Sequence, residues 1–457
     1  MCRQVLTSLM FAALMSLSIP STAQPPAPAE DAPAKVLLKC NAQSGDQWQV
    51  AIVMELEGQV VLRNGDKVTP LAVKGKTEHK LDERVIRVLE SQPTCVARFY
   101  QQARAEFQTH TNQQTRTLRP ERRFQAARQT VDGTQVFCPN GPLTREELEL
   151  CGGHTDVLAM HGILPGKEVS LGDAWDVNIL AAQALTAMDA VRDNKMKAKL
   201  EKVTNEMATI AVSGKVDGIQ QGSQATTEVK GLLEFSLKDR RLVSADWRQR
   251  DEHGQGPVHK ASQFESAANV TWTYTTGPSA ELLDAVIAQI PTEPTPAHLM
   301  LMFRESKDRC TFTYDRNWHI VANTNEYAVM RYLERGELLG QVNLRPWKQT
   351  RPGDHIDPKE LKPLATENPE FALDQILEEG TLNASPGFWI YRIAAVGKAG
   401  DLSLMQTSYA VAGPRGEQVI AIFSCEVGQA AKFAGKDLTI VKTIEFPTII
   451  QSGIKPQ

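Results

Sequence analysis

Six cysteines carry the most reactive side chains of this chain: Cys40, Cys95, Cys138, Cys151, Cys310 and Cys425, with Cys2 set aside in an N-terminal leader. An even number of cysteines in an exported protein favours disulfides over metal ligation or free thiols. Cys310 and Cys425 are the only two after residue 300, so they have each other as the partner within that part. Of the first four, local spacing favours Cys138–Cys151 and leaves Cys40–Cys95, although three pairings are open. Free buried thiols are the competing reading. Cys138, Cys151, His154 and His161 follow C-x12-C-x2-H-x6-H, which is not a standard tetrahedral zinc spacing, and export favours the bridge.

Other groups that could do chemistry are better explained by structure. Gly75-Lys76-Thr77 resembles the end of a phosphate-binding loop, but the first glycine of that motif falls on Pro70 and the surroundings read as strand. Asp354, His355 and Asp357 form a local acid–imidazole cluster in which Asp357 fits a helix cap. Asp173 and Asp176 flank Trp175, yet on a strand they face opposite ways, whereas glycoside chemistry needs both aimed at one bond. No nucleophile-elbow, zinc-protease or dinucleotide motif occurs. Between residues 98 and 128 there are seven arginines against Glu106 and Glu121. Arg116, Arg119, Arg122 and Arg123 are the candidates for an anionic surface partner. The alternative is a solvated strand face on which arginine stems cover apolar surface. The seven tryptophans are scattered and read as core. No catalytic, cofactor-binding or metal-ligating residue is assigned, and no cofactor is expected.

The elements that would position these groups are mainly strands. Trp48–Leu62 is long and ends at Asn64-Gly65, a strong hairpin signal. Val68–Leu81 and Thr94–Thr109 continue with polar alternation, as expected for an antiparallel sheet with one wet face. Thr144 with Glu147 marks a capping box, and an Ala-rich helix is expected over Ile179–Val191. Val229, Gly231, Leu233, Phe235 and Leu237 share one face of a later strand. Ser279 caps a short amphipathic helix. Pro291, Pro294 and Pro296 then remove backbone donors and favour extended neighbours, which predicts a stiff hinge. Beyond it come strands, a helix capped by Asp357 with Pro358 in its first turn, three more strands over 388–427, a short helix near Gln429–Ala434 and a closing strand, Leu438–Phe446.

Arg3, the apolar run Val5–Ile19 and the small residues Ser21-Thr22-Ala23 describe a secretory signal peptide over 1–23, followed by a Pro/Ala-rich disordered linker over 24–35. No later run is long and apolar enough to span a bilayer. A net charge of −4 gives no overall bias towards nucleic acid.

Two resemblances extend this reading. The opening FTYDRNWHI and the closing KDLTIVKTIEF resemble the PsbP-like family of small α/β/α domains, over roughly Leu301–Phe446. That resemblance implies a binding, assembly or exported role with no shared active site. The connector LPGKEVSLGDAW looks like one found in uncharacterised exported bacterial proteins. The β-rich part is also similar in pattern to LolA-like half-barrels. The expected fold class is therefore α+β: a curved antiparallel sheet or half-barrel over 36–276 in two halves joined near 143–175, a helix and proline hinge over 277–298, a PsbP-like α/β/α sandwich over 299–449 and a tail over 450–457. The expected function is non-enzymatic binding or scaffolding in the periplasm or outside the cell, with an envelope protein or amphipathic molecule as partner. The first alternative is a carrier of an apolar or lipid-like ligand in the N-terminal domain, and the second is a hydrolase with a dispersed site. No nucleic-acid partner is expected, and the oligomeric state is open.

Overall fold

Side chains along Ser223–Ser236 alternate between buried and exposed: Ala225, Thr227, Val229, Leu233 and Phe235 are inside, Gln224, Glu228, Lys230 and Leu232 outside. That period of two assigns one face to a core and one to water. The computed structural model describes residues 35–65, 67–110, 112–152, 156–368 and 371–447. The expected signal peptide, the linker up to Ala34, His154 and the tail 450–457 lie outside the described residues.

Most of residues 47–274 form one antiparallel sheet of 13 strands. Its path runs from Gly133–Phe137 through Phe124–Thr130, Gln92–Thr109, Lys67–Leu89, Gln47–Asn64, Ser262–Tyr274, Arg241–His253, Ser223–Ser236, Met207–Gln220 and Lys197–Val203 to Ala174–Asp176. The two ends of the path do not pair, so the sheet is open. Asn64 pairs with Lys67 across the expected hairpin turn. The strands Gln47–Asn64 and Lys67–Leu89 are 18 and 23 residues long, well beyond the usual 3–10.

The segment 143–188 packs helices against the apolar face of this sheet. Thr144 and Glu147 close the expected capping box in both directions, at 3.2 and 2.9 Å, and start the helix Arg145–Gly152. Asp156 caps Val157–Met160, and Asn178 caps Ile179–Thr186, where Ala187 in the left-handed region ends the Ala-rich helix. Leu158, Met160, Ala182 and Leu185 join Trp48, Val50, Val229 and Trp247 in one core.

The C-terminal part corrects the expected fold class. It is an open eight-stranded antiparallel sheet, ordered Trp318–Asn323, Ala328–Glu334, Glu337–Pro346, Gln418–Glu426, Leu402–Ala412, Trp389–Ala399, Phe371–Leu382, Glu367–Asn368. Its helices, Pro358–Thr366, Ala430–Phe433 and Lys436–Val441, are nine, four and six residues long. Pieces that short cannot cover a sheet of 9–12-residue strands as the layers of an α/β/α sandwich. The described residues are mostly β, with two large open sheets and two two-stranded ones, and the fold is not α+β. The closing strand is also replaced: Leu438–Val441 is helical and buries Ile440 and Val441.

The N- and C-terminal parts touch through a shared core and through main-chain and arginine contacts. Leu143 bridges Leu301 in parallel, and Met302 N–H donates to the Leu143 carbonyl at 2.8 Å. Arg145 donates to the carbonyls of Arg316 and Trp318 at 2.6 and 2.8 Å, while Arg316 donates to those of Val136 and Leu299 at 2.6 and 2.8 Å. Within the proline stretch, Thr295 caps a one-turn helix, Pro296–Leu299, and His298 closes its capping box.

Candidate functional site: a cavity between the long strands and the capping helix

Core-face positions of the long strands are fully covered at one end only. Trp48 and Val50 are 1% and 0% exposed, whereas Ile52, Met54 and Leu56, next on the same face, are only half-buried. Register explains where the room comes from. Leu56 lies between Gly75 and Ser266, and Met54 between Thr77 and Ala268. Small residues beside each apolar side chain leave space that the helices over 145–160 do not fill. Gly58 is required nearby for close approach: a Cβ there meets the Gln263 carbonyl oxygen at 2.1 Å.

The result is a cavity of about 320 Å³. Its sheet side carries Ile52, Met54, Leu56, Leu81, Tyr100, Phe107 and Phe264, and its helical side Leu150, Cys151 and Val157. Thr77, His79, Arg98, Arg116, Glu149, Asp156, Asp251 and His253 supply the polar lining. The volume falls at the lower end of the range of roughly 300–1,000 Å³ typical of small-molecule sites, and the mainly apolar wall with a few placed polar groups fits that class.

The polar groups are ordered by internal bonds. Arg98 donates Nε–H to Glu83 at 2.7 Å and Nη2–H to Asp156 at 3.2 Å, and Trp48 donates its indole N–H to Glu83 at 3.0 Å. Asp156 also caps the helix Val157–Met160 through Leu158 N–H at 2.9 Å, which ties the roof to the sheet. Asp251 accepts from Thr227 at 2.7 Å and from the Gln249 amide at 3.0 and 3.2 Å. His79 packs edge-on against Tyr100, with ring centroids 5.8 Å apart, and its buried Nε2 has no hydrogen-bond partner within the protein. Burial, with a smaller push from Arg98, lowers its pKa to about 4, so the imidazole is neutral near pH 7.

A larger hollow of about 740 Å³ borders it, sharing Leu56, Gly75 and Phe107 and carrying the charged side chains Glu55, Glu57, Lys74, Lys76, Arg248, Arg250 and Glu265. Five of those side chains, Glu57, Lys74, Lys76, Arg248 and Arg250, pair with one another or with neighbours, as in Lys74–Glu57 at 3.7 Å and Arg250–Glu252 at 3.0 Å. Exposed pairs of this kind hold little energy and read as a solvated face.

The residues singled out from sequence are dispersed. All six described cysteines are buried free thiols, so none of the expected bridges Cys310–Cys425, Cys138–Cys151 or Cys40–Cys95 is present in this structure. Cys40 Sγ lies 3.4 Å from His161 Nδ1, and Cys151 accepts from the Gln125 amide at 3.5 Å. Burial raises the Cys40, Cys151 and Cys310 thiols to about 12 and Cys425 to about 11, and it raises Cys95 and Cys138 as well. Among the described residues no cluster of three or more His, Cys, Asp or Glu could hold a metal ion.

Three of the four candidate arginines are engaged inside the fold. Arg119 grips Glu147 through two nitrogens at 2.6 and 2.7 Å, Arg122 donates to the carbonyls of Asn140 and Pro142, and Arg116 pairs with Glu149 at 3.1 Å over the Phe107 ring. Arg123 is half-buried. His355 stacks on Trp389 with centroids 3.7 Å apart, while Asp357 caps its helix. Asp173 closes a turn on Ser170, and Asp176 pairs with Lys197. Sequence reasoning missed Arg98 with its two carboxylates, His79 and Asp251. Their signal was parity, since each is polar on the buried face of its strand.

No helix among the described residues is long and apolar enough to cross a membrane. Comparison with family models and with curated proteins finds no match. Among solved structures the chain is similar to lipovitellin, in a structure titled for its lipid–protein interactions, at 7% identity over 53% of this chain with a TM-score of 0.30. It spans only 26% of that protein. It is also similar to cyanobacterial PsbP from Synechocystis sp. PCC 6803, at 12% identity over 35% of this chain and 97% of that one, TM-score 0.23. The translocator domain of the autotransporter NalP from Neisseria meningitidis gives 6% identity, 84% and 89% coverage and a TM-score of 0.14. Scores of this size carry no argument about fold or function, and they leave the PsbP resemblance as a pattern of residues.

Proposed function

We propose that this chain is a non-enzymatic binding protein that holds an apolar or amphipathic small molecule in the cavity between its long strands and the helices over 145–160. The observation that carries this reading is the cavity: about 320 Å³ walled by Met54, Leu56, Phe107, Phe264, Leu150 and Val157. A sheet face left half-buried at one end gains free energy when an apolar ligand covers it, at roughly 25 cal/mol per Å². With residues 1–23 as a signal peptide, the place of binding is the cell envelope or the exterior.

The test uses the purified full-length mature chain with the neutral dye Nile red and an organic extract of the protein as isolated. Bound dye or copurified lipid, with binding reduced tenfold or more in Leu56→Glu, is the expected result. An unchanged dye spectrum together with an extract free of lipid overturns the reading.

A further inference from the structure

The charges around the cavity narrow the class of ligand, on the premise that the cavity is the binding site. Two guanidinium groups reach its wall, and both are already neutralised. Arg98 is bonded to Glu83 and Asp156 together, so one cation faces two buried carboxylates. Arg116 is paired with Glu149 at 3.1 Å and covers Phe107. Each charge is already balanced by a carboxylate, and what Arg116 has left is a buried Nε–H with no partner within the protein.

On the other side the wall offers acceptors. Asp251 is 2% exposed, lines the cavity, and is held by two neutral donors, the Thr227 hydroxyl and the Gln249 amide. Its neighbour across the strand pair is Phe264, an apolar ring. His79 adds a neutral imidazole whose buried Nε2 lacks a protein partner. An ionised carboxylate or phosphate placed here meets Asp251 and Asp156, with both guanidinium groups already paired and His253 as a further titratable group on the wall, and it loses its water as well. A hydroxyl loses much less, because His79 Nε2 can exchange a hydrogen bond with it. A cationic head gains attraction from Asp251 and Asp156.

We infer that the cavity selects neutral or cationic amphiphiles, of the long-chain alcohol or alkylammonium class, and rejects fatty-acid anions and other acidic lipids. Chain length contributes the same apolar burial in each case, so headgroup charge is the variable that decides.

The experiment compares three ligands with the same twelve-carbon chain at pH 7.5, 1-dodecanol, dodecyltrimethylammonium and dodecanoate, each displacing Nile red from the full mature chain, the alcohol below its solubility limit and the two ions below their micelle concentrations. Dodecanol and dodecyltrimethylammonium are expected to displace the dye roughly tenfold or more better than dodecanoate, the order of effect of one unscreened charge contact at low effective dielectric. Asp251→Asn is expected to narrow that ratio by improving dodecanoate and weakening dodecyltrimethylammonium, with dodecanol unchanged. Dodecanoate binding as well as dodecanol in the unsubstituted chain overturns the inference while leaving the cavity as the site. Failure of all three to displace the dye, or of the dye to bind, strikes instead at the binding reading itself.

Discussion

Arg98 and Glu83 meet at 2.7 Å beneath the cavity wall, with side chains 3% and 0% exposed. They stand on the neighbouring strands Lys67–Leu89 and Gln92–Thr109 as a direct cross-strand pair. Asp156 from the helical roof makes the third member. Buried ion pairs seldom add net stability over apolar packing of the same volume, but breaking one strands a charge in low dielectric. The network therefore fixes where the roof sits, and so fixes the cavity's depth.

Removing the cation should expose that dependence. Arg98→Met leaves Glu83 and Asp156 without their partner and is expected to cost on the order of 3–5 kcal/mol, read from urea unfolding. The triple change Arg98→Met, Glu83→Gln, Asp156→Asn should recover a large part of that loss. Similar stability in the single and triple variants would show that the charges do not organise this region.

A pH dependence follows from His161. It is 2% exposed between Trp48 and Trp272, and burial lowers its pKa from 6.5 to about 4. The unfolded chain takes up a proton near pH 6.5 that the folded chain refuses until about pH 4, so stability falls as pH drops through that window. Between pH 7 and pH 5 this one residue accounts for a loss on the order of 2 kcal/mol. His161→Phe should flatten the stability profile by about that amount, and an unchanged slope between pH 7 and pH 5 would count against a buried neutral imidazole.

Local features were legible in the sequence because they depend on neighbours in the chain. Asn64-Gly65, the Thr144–Glu147 box, Asp357 before Pro358 and the alternation through Val229 and Leu233 all appear where local physics places them. Leu438–Val441 misled because Thr439, Ile440 and Val441 favour strand, whereas packing against Thr311–Tyr314 selects a helix. The cavity was not legible. Met54, His79, Phe107, Asp251 and Phe264 stand on five strands, and only the strand order and register bring them to one wall.

The cysteines give a direct chemical check. With every described thiol buried and shifted upward by burial, the folded protein should react slowly with a thiol-specific disulfide reagent even at pH 8.5, since the thiolate is the nucleophile. Addition of urea without any reductant should release six reactive thiols from a chain that starts at Gln24, without Cys2. Release of none would mean that the six are paired.

The contact between the two sheets is open to a mutational test at Arg316. Its guanidinium is largely buried, which lowers its pKa to about 10 with help from nearby Arg145, and it reaches the carbonyls of Val136 in the first sheet and of Leu299 at the end of the one-turn helix. Arg316→Ala leaves those two carbonyls without their donor, a cost on the order of 2 kcal/mol. Because one lost bond reaches the first sheet and the other holds the end of the proline stretch, the loss should appear as a second, earlier transition in urea and as faster proteolysis within residues 289–298. Arg331, which donates to the Pro257 carbonyl, supplies the comparison at the far side of the same contact. A single transition and an unchanged cleavage rate in Arg316→Ala and in the double variant with Arg331→Ala would show that the shared apolar core alone joins the two sheets.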